Sequence, residues 1–304
     1  MNPTESRSEA LINTLVVVGT GFMGASIAAG AKAAHLAHSV IGVDAAQAST
    51  ALSCGHVDRA FASIAEFTQW AKSSASLASG LAVVVASPVP SHASVFAELE
   101  ALDQHFPLQW LTDIGSTKHG VISAANQSLK NLLPRFVSSH PMAGSEHQGA
   151  AAANPALIQD ARVLVSRLAS SSQETVDAVE AFWIALGGRP APLPIEDHDV
   201  LLAAISHLPH VLAFSLASSL AQSPLAGAAQ LLHGGGLRDT TRIAASSPEL
   251  WADIFLDNRE SLLQAWGDWS LQLQEMRQAL ESSDRELLID FLHQASQWRR
   301  GLQT

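Results

Sequence analysis

Residues 14–44 read TLVVVGTGFMGASIAAGAKAAHLAHSVIGVD. An apolar run, Leu15 to Val18, has the composition of a buried parallel strand and ends in Gly19, Gly21 and Gly24 at G-x-G-x-x-G spacing. In such a turn Gly19 permits the tight reversal, Gly21 lets a pyrophosphate approach the backbone, and Gly24 lets the next helix pack closely on the sheet. Thr20, Phe22 and Met23 lie within the same turn and helix start. There, free backbone N–H groups and the positive end of the helix dipole form an anion site. A second strand, Ser39 to Val43, ends at Asp44, twenty residues after Gly24. A carboxylate there binds both ribose hydroxyls and repels a 2′-phosphate, which favours NAD over NADP. The alternative for Asp44 is a helix N-cap.

The alternation of strand and helix continues. Leu81 to Ala86 closes at Ser87-Pro88, a helical stretch runs from Pro90 to about Asp103, and strands are expected at Gln109 to Thr112 and Arg135 to Ser139. Two further strands, Arg162 to Ser166 and Arg189 to Leu193, flank a helix from Gln173 to Leu186. Ligands of an open parallel sheet sit beyond the carboxyl ends of its strands. Ser87, Pro88, Asp113 to Lys118 and His140 therefore gather on the cofactor's side. From Glu196 onward the pattern is helical only: Asp197 to Leu220 with a kink at Pro209, a new helix start at Pro248, then Arg259 to Leu280 and Asp284 to Leu302. The expected organisation is a loose tail over 1–13, a Rossmann-like dinucleotide-binding domain of the α/β class with a doubly wound, mostly parallel sheet over 14–195, and an all-helical domain over 196–304.

Bulk composition narrows the chemistry. With 47% hydrophobic and 15% charged residues the 304-residue chain reads as globular, with room for two cores. A net charge of −11 argues against a nucleic-acid partner, which normally requires a basic face. The start of the chain lacks the pattern of a secretory signal, and every apolar run is interrupted before the roughly 18 residues of a spanning helix, so a soluble, cytoplasmic protein with no membrane partner is expected. The one cysteine, Cys54, excludes an internal disulfide and reads as a small buried residue. Tyrosine is absent, so proton transfer falls to other groups, His foremost. His207 and His210 share a helical face, but no H-E-x-x-H arrangement accompanies them and no metal is expected.

Two stretches at successive strand ends, DIGSTK at Asp113 to Lys118 and SHPMAGSEHQG at Ser139 to Gly149, closely resemble the signatures of the prephenate/arogenate (cyclohexadienyl) dehydrogenase family. SHLPH at Ser206 to His210 and GGGLRDTTRIAASSPELWADIFLDN at Gly234 to Asn258 extend the resemblance to nearly the whole chain. It implies NAD-dependent oxidative decarboxylation of prephenate, or of arogenate, with release of CO2 and NADH in tyrosine biosynthesis. It also implies that His140 is the general base, with Ser116 near enough to orient the imidazole or touch the hydroxyl; the alternatives are a structural histidine and a helix cap. By the same resemblance Arg242 clamps a substrate carboxylate, and His207 and His210 lie at the substrate or nicotinamide pocket; Asp239, three residues before Arg242, is placed to pair with it, Gly235 to let backbone approach the ligand, Trp251 to wall the pocket, and Glu146 to bind a nearby Arg or modulate access. Core packing or solvent exposure is the alternative for each of these.

The family's helical domain implies a homodimer, and the Leu and Trp stripe of Leu262, Trp266, Trp269 and Leu273 reads as a packing surface. No room is expected before Leu15 for a fused chorismate mutase or after Leu302 for a regulatory domain. Two other readings stay open. A beta-hydroxyacid dehydrogenase shares the GTGFMG start but relies on a lysine and asparagine pair not matched here. A non-catalytic dinucleotide sensor would bind NAD without turnover.

Overall fold

Runs of Val, Leu and Ile form the centre of an eight-stranded sheet in the computed structural model, which describes residues 11–74, 80–144 and 147–302. The strands are β1 (Ile12–Val18), β2 (Ala37–Val43), β3 (Arg59–Phe61), β4 (Leu81–Val85), β5 (Leu108–Asp113), β6 (Phe136–Pro141), β7 (Arg162–Arg167) and β8 (Arg189–Pro192). Their order is β3-β2-β1-β4-β5-β6-β7-β8; β1 to β6 pair in parallel, β7 runs antiparallel to β6, and β8 is parallel to β7. The order reverses at β1 and β4, and a crevice opens there beyond the strand ends.

Both faces of the sheet are covered, so its strands are continuously apolar. Leu15 and Val17 of β1 point into one core with α1 (Phe22–Ala33) and α6 (Gln173–Ala185), where Phe182 and Trp183 are buried. Val16 and Val18 point into the other with α3 (Ile64–Ser73), α4 (His92–Asp103) and α5 (His119–Ser128). This period-2 division of one strand between two cores is the geometry of a pleated strand covered on both sides. The expected strands 81–86, 109–112, 135–139, 162–166 and 189–193 all appear, within one or two residues of their predicted ends. β1 starts at Ile12 and so takes in the last residues assigned to the tail.

Some expectations need correction. α2 (Ala48–Ser53), β3 and α3 fill the interval between Asp44 and Leu81, where no elements were assigned. Cys54, expected to be buried, is exposed just after α2. The region from Ile195 to Ala221 is one helical stretch of 27 residues, with an 18-residue window of mean hydropathy 1.8. By length and composition it is apolar enough to cross a membrane, although Ser206, His207, His210 and Ser215 interrupt it as the sequence expectation holds, and 28% of that window is buried inside the chain. It divides into α7 (Ile195–Leu202), a π-helical turn at Ala203–His207, and α8 (Leu208–Ala221). Pro209 has no N–H to donate back along the helix, and the wider turn that precedes it takes the place of the expected kink.

The remaining helices are α9 (Ala226–Leu232), α10 (Gly235–Thr241), α11 (Pro248–Asp257), α12 (Arg259–Glu281) and α13 (Arg285–Arg300). They bury few of their own side chains: Leu231 and Leu232 are 86% and 82% exposed, and Trp266, Leu271, Leu273 and Leu280 are open as well. An apolar surface of this extent on one chain is the mark of an interaction face.

Candidate active site

The glycine turn after β1 is built as its spacing predicts. Gly19 has φ +90°, and a Cβ there would lie 2.5 Å from the Ser87 nitrogen; a Cβ on Gly24 would lie 1.9 Å from the Gly19 carbonyl oxygen. The turn and α1 are in contact only because both lack side chains. Gly21, by contrast, faces open space, and no side chain caps α1, so its first N–H groups are available to an anion. The Thr20 hydroxyl is buried without a hydrogen-bond partner among the described residues. At the end of β2, Asp44 accepts the Thr20 N–H at 2.8 Å through one oxygen and the Ala46 and Gln47 N–H groups at 2.8 and 2.9 Å through the other. The carboxylate is thereby held rigidly beside the crevice, doing the capping work and facing the cleft at once.

The crevice is a cleft of about 1110 Å3 whose walls include Gly19, Gly21, Met23, Asp44, Ser87, Pro88 and Ser116. Leu250, Asp253 and Asp257 of α11 complete it from the helical half. Ser87 is strapped from behind, its hydroxyl accepting from Ser91 at 2.9 Å and its carbonyl bonded to His92 at 3.0 Å.

Asp113 departs from its expected place. Its carboxylate is fully buried beneath the cleft, taking Ser138 Oγ at 2.6 Å, the Gly115 N–H at 2.7 Å and Lys118 Nζ at 2.7 Å. The group is saturated by the loop that carries Ser116 together with Ser138 of β6, and is a strut rather than a cofactor ligand. Lys118 also donates to the carbonyls of Gly115 and Ser139, at 2.9 and 2.8 Å. One ammonium thus binds the end of β5, the 114–117 loop and the residue before His140 into a unit.

His140, at the end of β6, is partly buried and does not line the cleft wall with Ser116. Among the described residues its hydrogen-bond partner is not Ser116 but His198 of α7, with Nδ1 and Nε2 3.0 Å apart. His198 is fully buried, and its Nδ1 lies 2.8 Å from Asp199. Asp199 also accepts the N–H groups of Lys118 and His119, both at 2.8 Å, at the start of α5. That helix has no side-chain cap of its own; Asp199 and Asp257, which takes the Gly120 N–H at 3.3 Å, cap it from the helical half. Burial, followed by the charge of Lys118 and the neighbouring imidazoles of His198 and His207, holds His140 well below the ordinary histidine value. Burial alone would raise the Asp199 carboxyl; hydrogen bonds from His198, Lys118 and His119 outweigh it and hold the carboxyl low. The site therefore contains a neutral imidazole backed by an anionic carboxylate.

His207 bonds to Asn258 at 3.0 Å, and Asn258 donates to the Asp199 carbonyl at 2.7 Å. His210 stacks on Trp251 with ring centroids 3.4 Å apart, and His207 meets the same indole edge-on. These three expected pocket residues are together. Arg242 is exposed and lines a separate pocket of about 450 Å3 with Arg238 and His233, and neither this pocket nor the cleft is lined by both His140 and Arg242 among the described residues; after burial, the charge of Arg242 also depresses the His210 imidazole. Asp239 pairs with Arg238 at 3.4 Å rather than with Arg242, and Gly235 is exposed at the start of α10. Glu146 lies outside the described residues. Lys118, His198 and Asp199 were given no roles in the sequence reading. The signal for the last two is EDHD at Glu196 to Asp199, which stands where the pattern turns from strand-and-helix alternation to helices alone.

Comparison with known proteins agrees with this architecture. Residues 27–191 match the family described as prephenate dehydrogenase, nucleotide-binding domain, and residues 194–294 match prephenate dehydrogenase, dimerization domain. The prephenate dehydrogenase of Bacillus subtilis is 32% identical over 293 residues, which cover 95% of this chain and 76% of that one. The cyclohexadienyl dehydrogenase of Zymomonas mobilis is 33% identical over 196 residues, 64% of this chain and 66% of that one. A solved structure of prephenate dehydrogenase from Aquifex aeolicus, in complex with hydroxyphenyl propionate and NAD+, superimposes with a TM-score of 0.83 at 27% identity, covering 95% of this chain and 97% of that one.

Proposed function

The chain belongs to the prephenate dehydrogenase family, and from that premise we propose that it carries out NAD-dependent oxidative decarboxylation of prephenate, with arogenate as a second substrate, in tyrosine biosynthesis. The observation that carries this reading is the neutral imidazole of His140, backed by His198 and Asp199 and carried on the last residues of β6, at the end of the parallel sheet where the crevice opens.

The glycine turn, with Gly19, Thr20, Gly21, Phe22, Met23 and Gly24, holds the pyrophosphate; Asp44 holds the ribose; Ser87 and Pro88 border the crevice. NAD, when bound, supplies the hydride acceptor. His140 takes the hydrogen bond of the substrate's 4-hydroxyl group and draws its proton as hydride leaves the same carbon. The bond to the ring carboxylate breaks, its electron pair enters the ring, CO2 departs, and His140 returns the proton to the phenolate oxygen. Aromatisation drives the loss of CO2, with the electron pair passing through the ring to the oxygen, so the protein's main contributions are orientation and charge. Arg242 lines a separate pocket of the single chain and is assigned to a substrate carboxylate by the family resemblance, since a guanidinium offers two parallel donors and stays charged, while His207, His210 and Trp251 form a wall.

The protein works as a homodimer in the cytoplasm, with the open faces of α8 to α13 against a second copy. The deciding experiment follows NADH absorbance after prephenate or arogenate is added with NAD or NADP, using His140→Asn as control. Turnover that His140→Asn abolishes supports the reading; NAD binding without turnover of either substrate overturns it in favour of a sensor.

A further inference from the structure

We infer that His198 and Asp199 are positioning residues that fix which nitrogen of His140 carries hydrogen and that steady the positive charge His140 takes up. The inference rests on the reading of His140 as the base, and adds two residues to that site from α7.

The assignment follows from donor and acceptor capacity alone. An ionised carboxylate only accepts, so at 2.8 Å from Asp199 the Nδ1 of His198 must be the donor. A neutral His198 then has a bare Nε2, and the nitrogen 3.0 Å from it, Nδ1 of His140, must carry the hydrogen. A neutral His140 is consequently bare at Nε2, the form able to accept a hydroxyl proton. With no such chain behind it, His140 is free to protonate Nε2 and lose that capacity. Once His140 is protonated, its Nδ1–H points along the same line toward Asp199, whose charge is fixed by the Lys118 and His119 N–H groups. The arrangement is the logic of an oriented base with a buried carboxylate behind it, extended by one imidazole.

Acid reverses the chain. A protonated His198 donates from both nitrogens, so His140 must accept at Nδ1 and carry hydrogen at Nε2. The groups that face the pair are Lys118 with Asp113 from the 113–118 loop, Asp199 from α7 and His207 from the π turn; burial and Lys118 oppose protonation of the pair, while Asp199 and Asp113 favour it for His198. The pair titrates as a unit.

The test uses the full-length protein and three variants. Nitrogen-15 NMR of the histidines at about pH 8, above the ordinary histidine value, reads the tautomer directly. We expect His140 with hydrogen on Nδ1 in the parent and loss of that form in His198→Leu. His198→Gln, whose amide can accept from His140 and donate to Asp199, should restore it and retain more turnover than His198→Leu. Asp199→Asn should lower kcat with prephenate about 10-fold to 100-fold, a part of what a positioned base supplies, with KM within about twofold. Hydrogen on Nε2 of His140 in the parent overturns the inference, as does an unchanged tautomer in His198→Leu or an unchanged kcat in a folded Asp199→Asn. If neither prephenate nor arogenate is turned over, the proposed function fails while the tautomer of His140 still decides the inference.

Discussion

Lys118 Nζ and the Asp113 carboxylate lie 2.7 Å apart with their side chains 2% and 0% exposed, the most deeply buried ion pair among the described residues. Burial pushes the Lys118 ammonium down from its ordinary value, against the pull of Asp113. The pair is tolerable only because both groups are also fully hydrogen-bonded, and it ties the Ser116 loop to the strand that ends in His140.

Breaking that pair from one side leaves a bare buried charge. Lys118→Met should cost about 3–5 kcal/mol of stability, and Lys118→Met with Asp113→Asn should cost clearly less than the sum of the two single changes. Urea unfolding at one protein concentration checks both. Equal losses for the double variant and the sum would mean that the two groups act independently.

The cofactor turn was legible in the sequence because a glycine pattern, two strands and a terminal acid occupy fixed positions in one local unit. Most strands were legible too, since a sheet covered on both faces demands uninterrupted apolar runs. Asp113, Lys118, His198 and Asp199 were not. Their roles arise from contacts between segments about 20 to 80 residues apart, and nothing in a local pattern says that the acid of EDHD will cap a helix of the other half. Cys54 and Asp239 were misread for a related reason: exposure and choice of partner are set by tertiary packing, which spacing along the chain does not determine.

Gly24 and Gly21 should separate by experiment. Gly24→Ala places a carbon on the Gly19 carbonyl and should lower stability and NADH affinity together. Gly21→Ala meets nothing within 4 Å, so it should unfold at the parent temperature yet bind NADH at least about tenfold more weakly, or about 1.4 kcal/mol. Thermal melts and fluorescence titration distinguish the two. Parent-like affinity in Gly21→Ala would remove the pyrophosphate from that position.

Asp44→Asn retains an oxygen for the Ala46 and Gln47 N–H groups while losing the second acceptor for Thr20 and the negative charge. The charge is what repels a 2′-phosphate. The ratio of kcat/KM for NAD over NADP should therefore fall by about tenfold or more, mainly through weaker use of NAD, with a smaller gain for NADP. Steady-state rates with both cofactors measure it, and an unchanged ratio would assign Asp44 to capping alone.

Folding stability should fall with acidification in a window set by His207. Burial is the largest cause of its depression, with His198 and His210 adding to it against Asp199, and its value drops from 6.5 to about 4. Between those values the unfolded chain holds a proton that the folded chain does not, so stability is complete above about pH 6.5 and declines as pH falls through about 4. One such group contributes about 3 kcal/mol over the window, at about 1.4 kcal/mol per pH unit for each proton. The lowered values of His140 and His198 act in the same direction. His207→Gln retains an acceptor for Asn258 and should reduce the slope of unfolding free energy against pH by about one proton, as measured by urea unfolding between about pH 4.5 and 6.5. An unaltered slope would mean that His207 titrates alike in the folded and unfolded chain, and that its burial against Asn258 and Trp251 carries no proton linkage.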